Sequence, residues 1–322
     1  MHRAGIVCLL TLAGLWPRTA LAADAAGCTL KLVNTVPITM AANGTRVLVP
    51  VTINGTEKTF LLDTGGAVTQ ITASAARELK LPITESGGKL LDLYGGASGG
   101  AAKVDDFTLG RLHDKHATLI ISTFDGESLY AGLLAADYMG KYDIELDFAG
   151  GKMNYFSRDH CKGRVVYWPA AAIAVVPMLL RDNHVNLDVT LDGHTFKAII
   201  DTGAPNTTLT TAEAKRVFGI TADMPGDKQI YEDRGEKAFE HVFQKLSFEG
   251  LEVGRPHIEV IPDKTGSRDA NNDYVTGSRV HRVDDSDPSD PVMLIGMNIL
   301  SKLRLYIAFD EQKIYITPAS RP

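Results

Sequence analysis

The second half of this chain repeats the first, so the fold must consist of two similar units. Val51-Thr-Ile-Asn-Gly-Thr-Glu-Lys-Thr-Phe-Leu-Leu-Asp63-Thr-Gly lies over Val189-Thr-Leu-Asp-Gly-His-Thr-Phe-Lys-Ala-Ile-Ile-Asp201-Thr-Gly without a gap. The match continues through Thr69/Thr207, Ile71/Leu209, Thr72/Thr210 and Ala76/Ala214. A second block closes each half. Residues 133–139 lie over 294–300, 144–148 over 305–309, and Lys152-Met over Lys313-Ile. Val36-Pro-Ile and Val176-Pro-Met give a weaker third match. The offset is 138 residues between Asp63 and Asp201 but 161 between Leu133 and Leu294, so the second half carries about 23 extra residues. Residues 263–291, rich in Gly, Ser, Asp and Asn, are where they are expected, as a solvated surface loop.

Turn punctuation sets the secondary structure. Asn54-Gly55 and Asp192-Gly193 sit between alternating apolar runs, the strongest short-range hairpin signal. Residues 47–53 and 56–62 are therefore expected as one hairpin, and 185–191 and 194–200 as its copy. A short helix should follow each Asp-Thr-Gly. Thr210 and Glu213 have capping-box spacing, and Thr72 or Ser74 would cap the counterpart. Residues 144–148, 153–156, 303–309 and 313–316 read as further strands. The fold class is all-β, in two pseudo-symmetric lobes, 23–165 and 166–322.

Each half offers one aspartate in the same frame, two apolar residues followed by Asp-Thr-Gly. A lone copy is weak evidence. Two copies at one point of a repeated strand-turn-strand are specific. An apolar strand ending in a glycine turn presents a carboxylate at the rim of a core, and two such lobes can bring Asp63 and Asp201 face to face. Carboxylates in contact do not both ionise easily, so they share a proton. One then serves as general base toward a water and the other as general acid toward a carbonyl. That chemistry requires no metal and no cofactor, and none is expected.

These residues resemble the aspartic peptidases. Leu61-Leu-Asp63-Thr64-Gly65 and Ile199-Ile-Asp201-Thr202-Gly203-Ala204 are similar to that family's active-site loops, and Leu294-Ile-Gly296 to the apolar-apolar-Gly element behind them. The resemblance is to retroviral-type halves fused in one exported bacterial polypeptide. It implies a bilobal pepsin/retropepsin-like acid protease fold and an endopeptidase acting on peptides or unfolded proteins. Asp63 and Asp201 would be the catalytic pair. Thr64 and Thr202 would bond across the lobes, and Gly65 and Gly203 would allow the tight loops. One chain builds a complete site, so a monomer is expected. The other class to weigh is a non-catalytic peptide-binding or structural protein that keeps the fold, since fold does not imply function.

The chain departs from the family in places. Leu133-Leu-Ala135 has Ala where Gly is usual, which costs stability if that position needs a positive φ. Gly66 and Ala204 replace the hydroxyl residue usual after Asp-Thr-Gly in gastric-type enzymes, which suggests a working pH nearer neutral. The stretch before the first repeat strand is short for a gastric-type prosegment, so no zymogen of that kind is expected. Tyr94, Gly95 and Gly96, in a Gly-rich stretch, are the expected flap over the substrate. The second half has only a weak equivalent at 231–235.

Residues 1–22 read as a secretory signal: a short basic start, an apolar run too short to span a bilayer, and Ala20-Leu-Ala22 as the cleavage site. The mature chain has no stable membrane span, and export to the periplasm or outside the cell is expected. It keeps Cys28 and Cys161, which an oxidising compartment would bridge. No lipid anchor is expected at Cys28, because no large aliphatic residue stands three positions before it. Lys and Arg total 33 against 39 Asp and Glu, for a net charge of −6. A mildly acidic chain gives no support to nucleic-acid binding. Gly96-Ala-Ser98-Gly-Gly100 matches a hydrolase serine motif but lacks the helix that motif needs. The nine histidines show no metal-ligand spacing.

Overall fold

The computed structural model describes residues 29–319 except 43, 86–99, 123–129, 182, 223, 225, 234 and 263–290. Cys28, the expected signal, the flap residues Tyr94, Gly95 and Gly96, Ser98 and almost all of the long loop lie outside the described residues.

Both hairpins form where the turn chemistry requires. Val47–Ile53 pairs antiparallel with Thr56–Leu62, and His184–Leu191 with His194–Ile200. Asn54 and Gly55 have φ of 48° and 83°, and Asp192 and Gly193 have 45° and 86°. Positive φ at both central residues is the twist-matched hairpin turn, which Asn-Gly and Asp-Gly adopt with least strain. Side chains alternate along Val47–Ile53, with Val47, Val49, Val51 and Ile53 buried.

The two lobes share one strand order. In the first, Val47–Ile53 is followed across the sheet by Thr56–Leu62, Gly132–Leu134, Gln70–Thr72, Leu112–Ser122, Ala101–Leu109 and Ile83–Thr84. In the second, His184–Leu191 is followed by His194–Ile200, Met293–Ile295, Thr208–Thr210, His257–Ile261, Glu236–Val242 and Lys228–Asp233. The expected flap therefore falls between Ile83–Thr84 and Ala101–Leu109. The Lys228–Asp233 and Glu236–Val242 hairpin occupies the equivalent place. The second half thus has a fuller hairpin there than its sequence suggests. Helices Ala73–Glu78 and Thr211–Phe218 follow the two loops, and Thr72 and Thr210 accept the Ala75 and Glu213 N–H groups as caps.

A bridging sheet joins the lobes. Leu32–Pro37, Lys152–Phe156 and Asp143–Asp147 come from the first half, and Leu303–Ala308, Lys313–Pro318 and Ala174–Arg181 from the second. Asp143–Asp147 pairs directly with Leu303–Ala308, so the hydrogen-bond ladder runs through the duplication. One face carries Ile144, Leu146, Met153, Leu305, Ile307, Ile314 and Ile316 into the main core. On the other face Trp168 packs near the lobe boundary with Val165, Phe156 and Tyr306. Ala135 has φ −102° and its counterpart Gly296 has −95°. Both are extended, so the expected strain at Ala135 does not arise. Gly296 is held by space instead, since a Cβ there would meet Asn206 O at 2.3 Å.

Candidate active site

The two Asp-Thr-Gly loops meet at the lobe interface. Each begins where an interior strand ends. Asp63 N–H donates to Leu134 O at 2.9 Å, and Asp201 N–H to Ile295 O at 3.0 Å, so the ladders carry through to the aspartates. The threonines then bond reciprocally. Thr64 N–H donates to Thr202 Oγ1 at 3.0 Å, and Thr202 N–H to Thr64 Oγ1 at 3.0 Å. Each hydroxyl passes its own proton across the interface, Thr64 to Ile200 O at 2.8 Å and Thr202 to Leu62 O at 2.7 Å. All four groups are buried, so each bond replaces an expensive orphan.

This frame holds two buried carboxyls in contact. Burial, first, and the charge and hydrogen bond of Asp201, second, push the Asp63 carboxyl well above the usual range, while the Gly65 and Gly66 N–H groups oppose the rise. Gly65 N–H donates to Asp63 Oδ1 at 3.1 Å. Asp201 Oδ1 accepts two backbone donors, Gly203 N–H at 2.8 Å and Ala204 N–H at 3.1 Å. Gly203 is needed for close approach, because a Cβ there would stand 2.4 Å from Asp63 Oδ1. Sequence reasoning placed Asp63, Thr64, Gly65, Asp201, Thr202 and Gly203, and all six come together.

A second layer repeats behind each loop. Thr69 N–H and Oγ1 bond to Asp137 at 3.0 and 2.6 Å, and Thr69 Oγ1 accepts Ala135 N–H. In the other lobe Thr207 N–H and Oγ1 bond to Asn298, both at 2.8 Å, and Thr207 Oγ1 accepts Gly296 N–H.

A family model described as aspartyl protease matches residues 49–138 and 187–299, one Asp-Thr-Gly in each segment and well over half of the chain. The chain belongs to the aspartyl protease family. No curated protein matches it. Among solved structures it is similar to basic 7S globulin from soybean, with 8% identity, a TM-score of 0.49, and 91% of this chain and 96% of that one covered.

This aspartyl protease family member also has site neighbours that the sequence reading missed. Arg46 donates to Gly203 O, and His184 Nε2–H donates to Gly65 O at 2.9 Å. Arg46 and His184 are repeat-equivalent, each reaching from its own lobe to the opposite loop. Asn183 Nδ2 adds a bond to Ala67 O at 2.9 Å. Burial pushes the Tyr130 phenol up, Arg46 pulls it back, and the Asp63 charge adds to the rise, so these groups share the field of the dyad. The 138-residue offset was the signal for Arg46 and His184, hidden because the two residue types differ.

Proposed function

We propose that the chain is an exported aspartic endopeptidase in which Asp63 and Asp201 activate water against a peptide bond. The observation that carries this reading is the contact of two buried carboxyls inside a reciprocal threonine frame. Burial and the neighbouring charge favour the proton on Asp63, and two backbone donors favour the charge on Asp201. In the proposed reaction Asp201 takes a proton from water as the water oxygen bonds to the peptide carbonyl carbon, and Asp63 gives its proton to the carbonyl oxygen. Collapse of the tetrahedral diol breaks the C–N bond. The amine nitrogen takes the proton held by Asp201, and Asp63 recovers its own from the diol. The threonine frame fixes the carboxyls before substrate arrives, so little reorganisation is needed at the barrier.

Export rests on the N-terminal pattern of residues 1–22. With it goes a bridge between Cys28 and Cys161, the two cysteines that an exported chain would carry into an oxidising compartment. Peptide mapping of the mature protein, with and without reductant, tests both. With Asp63 shifted up and no hydroxyl side chain at Gly66 or Ala204, the working pH lies nearer neutral than strongly acidic. A pH–rate profile whose only maximum falls below about pH 3 would overturn that.

The deciding experiment incubates the purified chain with a diverse peptide library from about pH 3 to 8, beside Asp63→Asn and Asp201→Asn. Cleavage by the parent that disappears in both folded variants is the expected result. Cleavage that survives in both sinks the mechanism. A folded parent that cleaves nothing favours a peptide-binding protein.

A further inference from the structure

The face of the first lobe that bears Asp63 is lined by side chains outside the lobe core. Alternation along Thr56–Leu62 sends Phe60 and Leu62 into the core and puts Leu61 on the face shared with Asp63. Across the sheet Leu61 lies beside Leu133, Leu133 beside Gln70, and Gln70 beside Ile120. Their chain neighbours Leu62, Leu134, Ile71 and Ile121 fill the core behind. Gln70 is therefore two strands from Leu61, about 10 Å across the sheet, and Asp63 is about 7 Å further along. The Gln70 Cα therefore stands about 12 Å from that of Asp63, a span of about four residues of an extended peptide at the dyad.

Gln70 is the polar member of this row. It is 99% buried, being 1% exposed, and neither Nε2 nor Oε1 has a hydrogen-bond partner among the described residues. The repeat gives an independent second instance. Ile199, Leu294, Thr208 and Glu259 take the same four places in the second lobe, and buried Thr208 Oγ1 also has no partner there. Buried polar groups are nearly always paired, so such groups on the aspartate face point to a ligand that pairs them. The two rows differ, because Glu259 takes the place of Ile120 in the second lobe and its Oε1 accepts Asn206 Nδ2 at 2.7 Å. A preference set by Gln70 therefore belongs to one side of the scissile bond.

We propose that Gln70 is a specificity-determining residue whose amide reads a carboxamide side chain, Asn or Gln, of the bound peptide. A carboxamide offers one acceptor and two donors, and satisfies Nε2 and Oε1 together in a two-bond pair. An aliphatic side chain leaves both bare, and a carboxylate turns a second acceptor toward Oε1. Sites built to hydrogen-bond a group discriminate strongly against the analogue that lacks it. The inference rests on reading the dyad cleft as a peptide site.

The test measures binding, so that it does not depend on turnover. Statine-centred peptides carrying Asn, Gln, Leu or Met at each of four flanking positions are titrated against the parent, Gln70→Met and Gln70→Glu. The expected result is a Gln or Asn peptide binding at least about tenfold tighter than its Met or Leu partner at one position. That ratio should be lost in Gln70→Met. If Gln70→Met fails to fold, Gln70→Glu serves, and its ratio should fall because one donor has become an acceptor. A parent ratio near one, or the same ratio in a folded variant, overturns the proposal. Library cleavage without carboxamide preference sinks the role of Gln70 alone. Neither cleavage nor statine binding by the folded parent sinks the peptide-site reading with it.

Discussion

Asp63 carries a stability cost that its own chemistry makes measurable. Its carboxyl is raised by burial and then by Asp201, so the folded state resists ionising it. The linkage sign follows. A carboxyl raised on folding stabilises fully below its unfolded pKa, about 4, and that stability drains away as pH rises through the folded value. Asp63→Asn removes the ionisable group while keeping its shape. Its midpoint of denaturation should fall less than the parent's as pH rises above about 4, and near neutrality it should be the more stable protein. Parallel pH profiles for parent and variant would rule this out. The threonines give a second residue-scale prediction. Thr64→Val deletes the hydroxyl that donates to Ile200 O and accepts Thr202 N–H, leaving two buried groups unpaired. A loss of about 2–4 kcal/mol is expected. Thr202→Val should cost about as much, and the double variant well under the sum, because both belong to one network. Additive losses would mean that the four bonds act independently.

At the scale of the element, what could be read from sequence follows from the range of each interaction. Hairpin turns, helix caps and Asp-Thr-Gly loops are set within a few residues, and the repeat doubled each signal. Asn54-Gly55 and Asp192-Gly193 therefore gave their hairpins directly. Arg46 and His184 were missed because their partners, Gly203 and Gly65, lie across the lobe interface and because the two residues differ in type. The place of Gln70 depends on Leu133 and Ile120, whose register no local pattern reveals. The back of the bridging sheet was equally hidden. There Glu145 accepts Arg304 Nε at 2.6 Å, Tyr167 OH at 2.6 Å and Asn154 Nδ2 at 2.8 Å. Arg304 also lies 3.3 Å from Asp147 and 4.1 Å over the Trp168 ring. Arg304 and Glu145 come from opposite halves of the duplication, on directly neighbouring strands. Removing one member of a buried pair leaves the other uncompensated. Arg304→Met should therefore cost about 3–5 kcal/mol by urea denaturation, and Arg304→Lys less. A loss under about 1 kcal/mol for Arg304→Met would show that water reaches Glu145 and screens it.

At the scale of the whole molecule, the two lobes are repeats, and repeats can unfold one at a time when few contacts join them. Here three layers of contact cross the duplication. At the back, Asp143–Asp147 and Leu303–Ala308 share a ladder whose apolar face lies in one continuous core. At the centre, four threonine bonds link the Asp-Thr-Gly loops. At the front, Arg46 and His184 each bond to the opposite loop. Neither lobe can open at the interface without breaking the ladder and baring Leu146, Leu305 and Ile307 to water. Calorimetry should therefore record one transition, with van't Hoff and calorimetric enthalpies that agree. A statine peptide in the cleft should raise that transition as a unit, since ligand linkage acts on whatever unfolds together. The variants separate the layers. Arg46→Ala with His184→Ala removes only the front pair, so unfolding should stay single while library cleavage falls, because the loops lose their outer restraint but not their ladder. Arg304→Met weakens the back, where the halves are joined by strand pairing, and is the change expected to split the transition in two. Two transitions in the parent would mean that the shared ladder does not couple the lobes, and that the duplication still behaves as two domains.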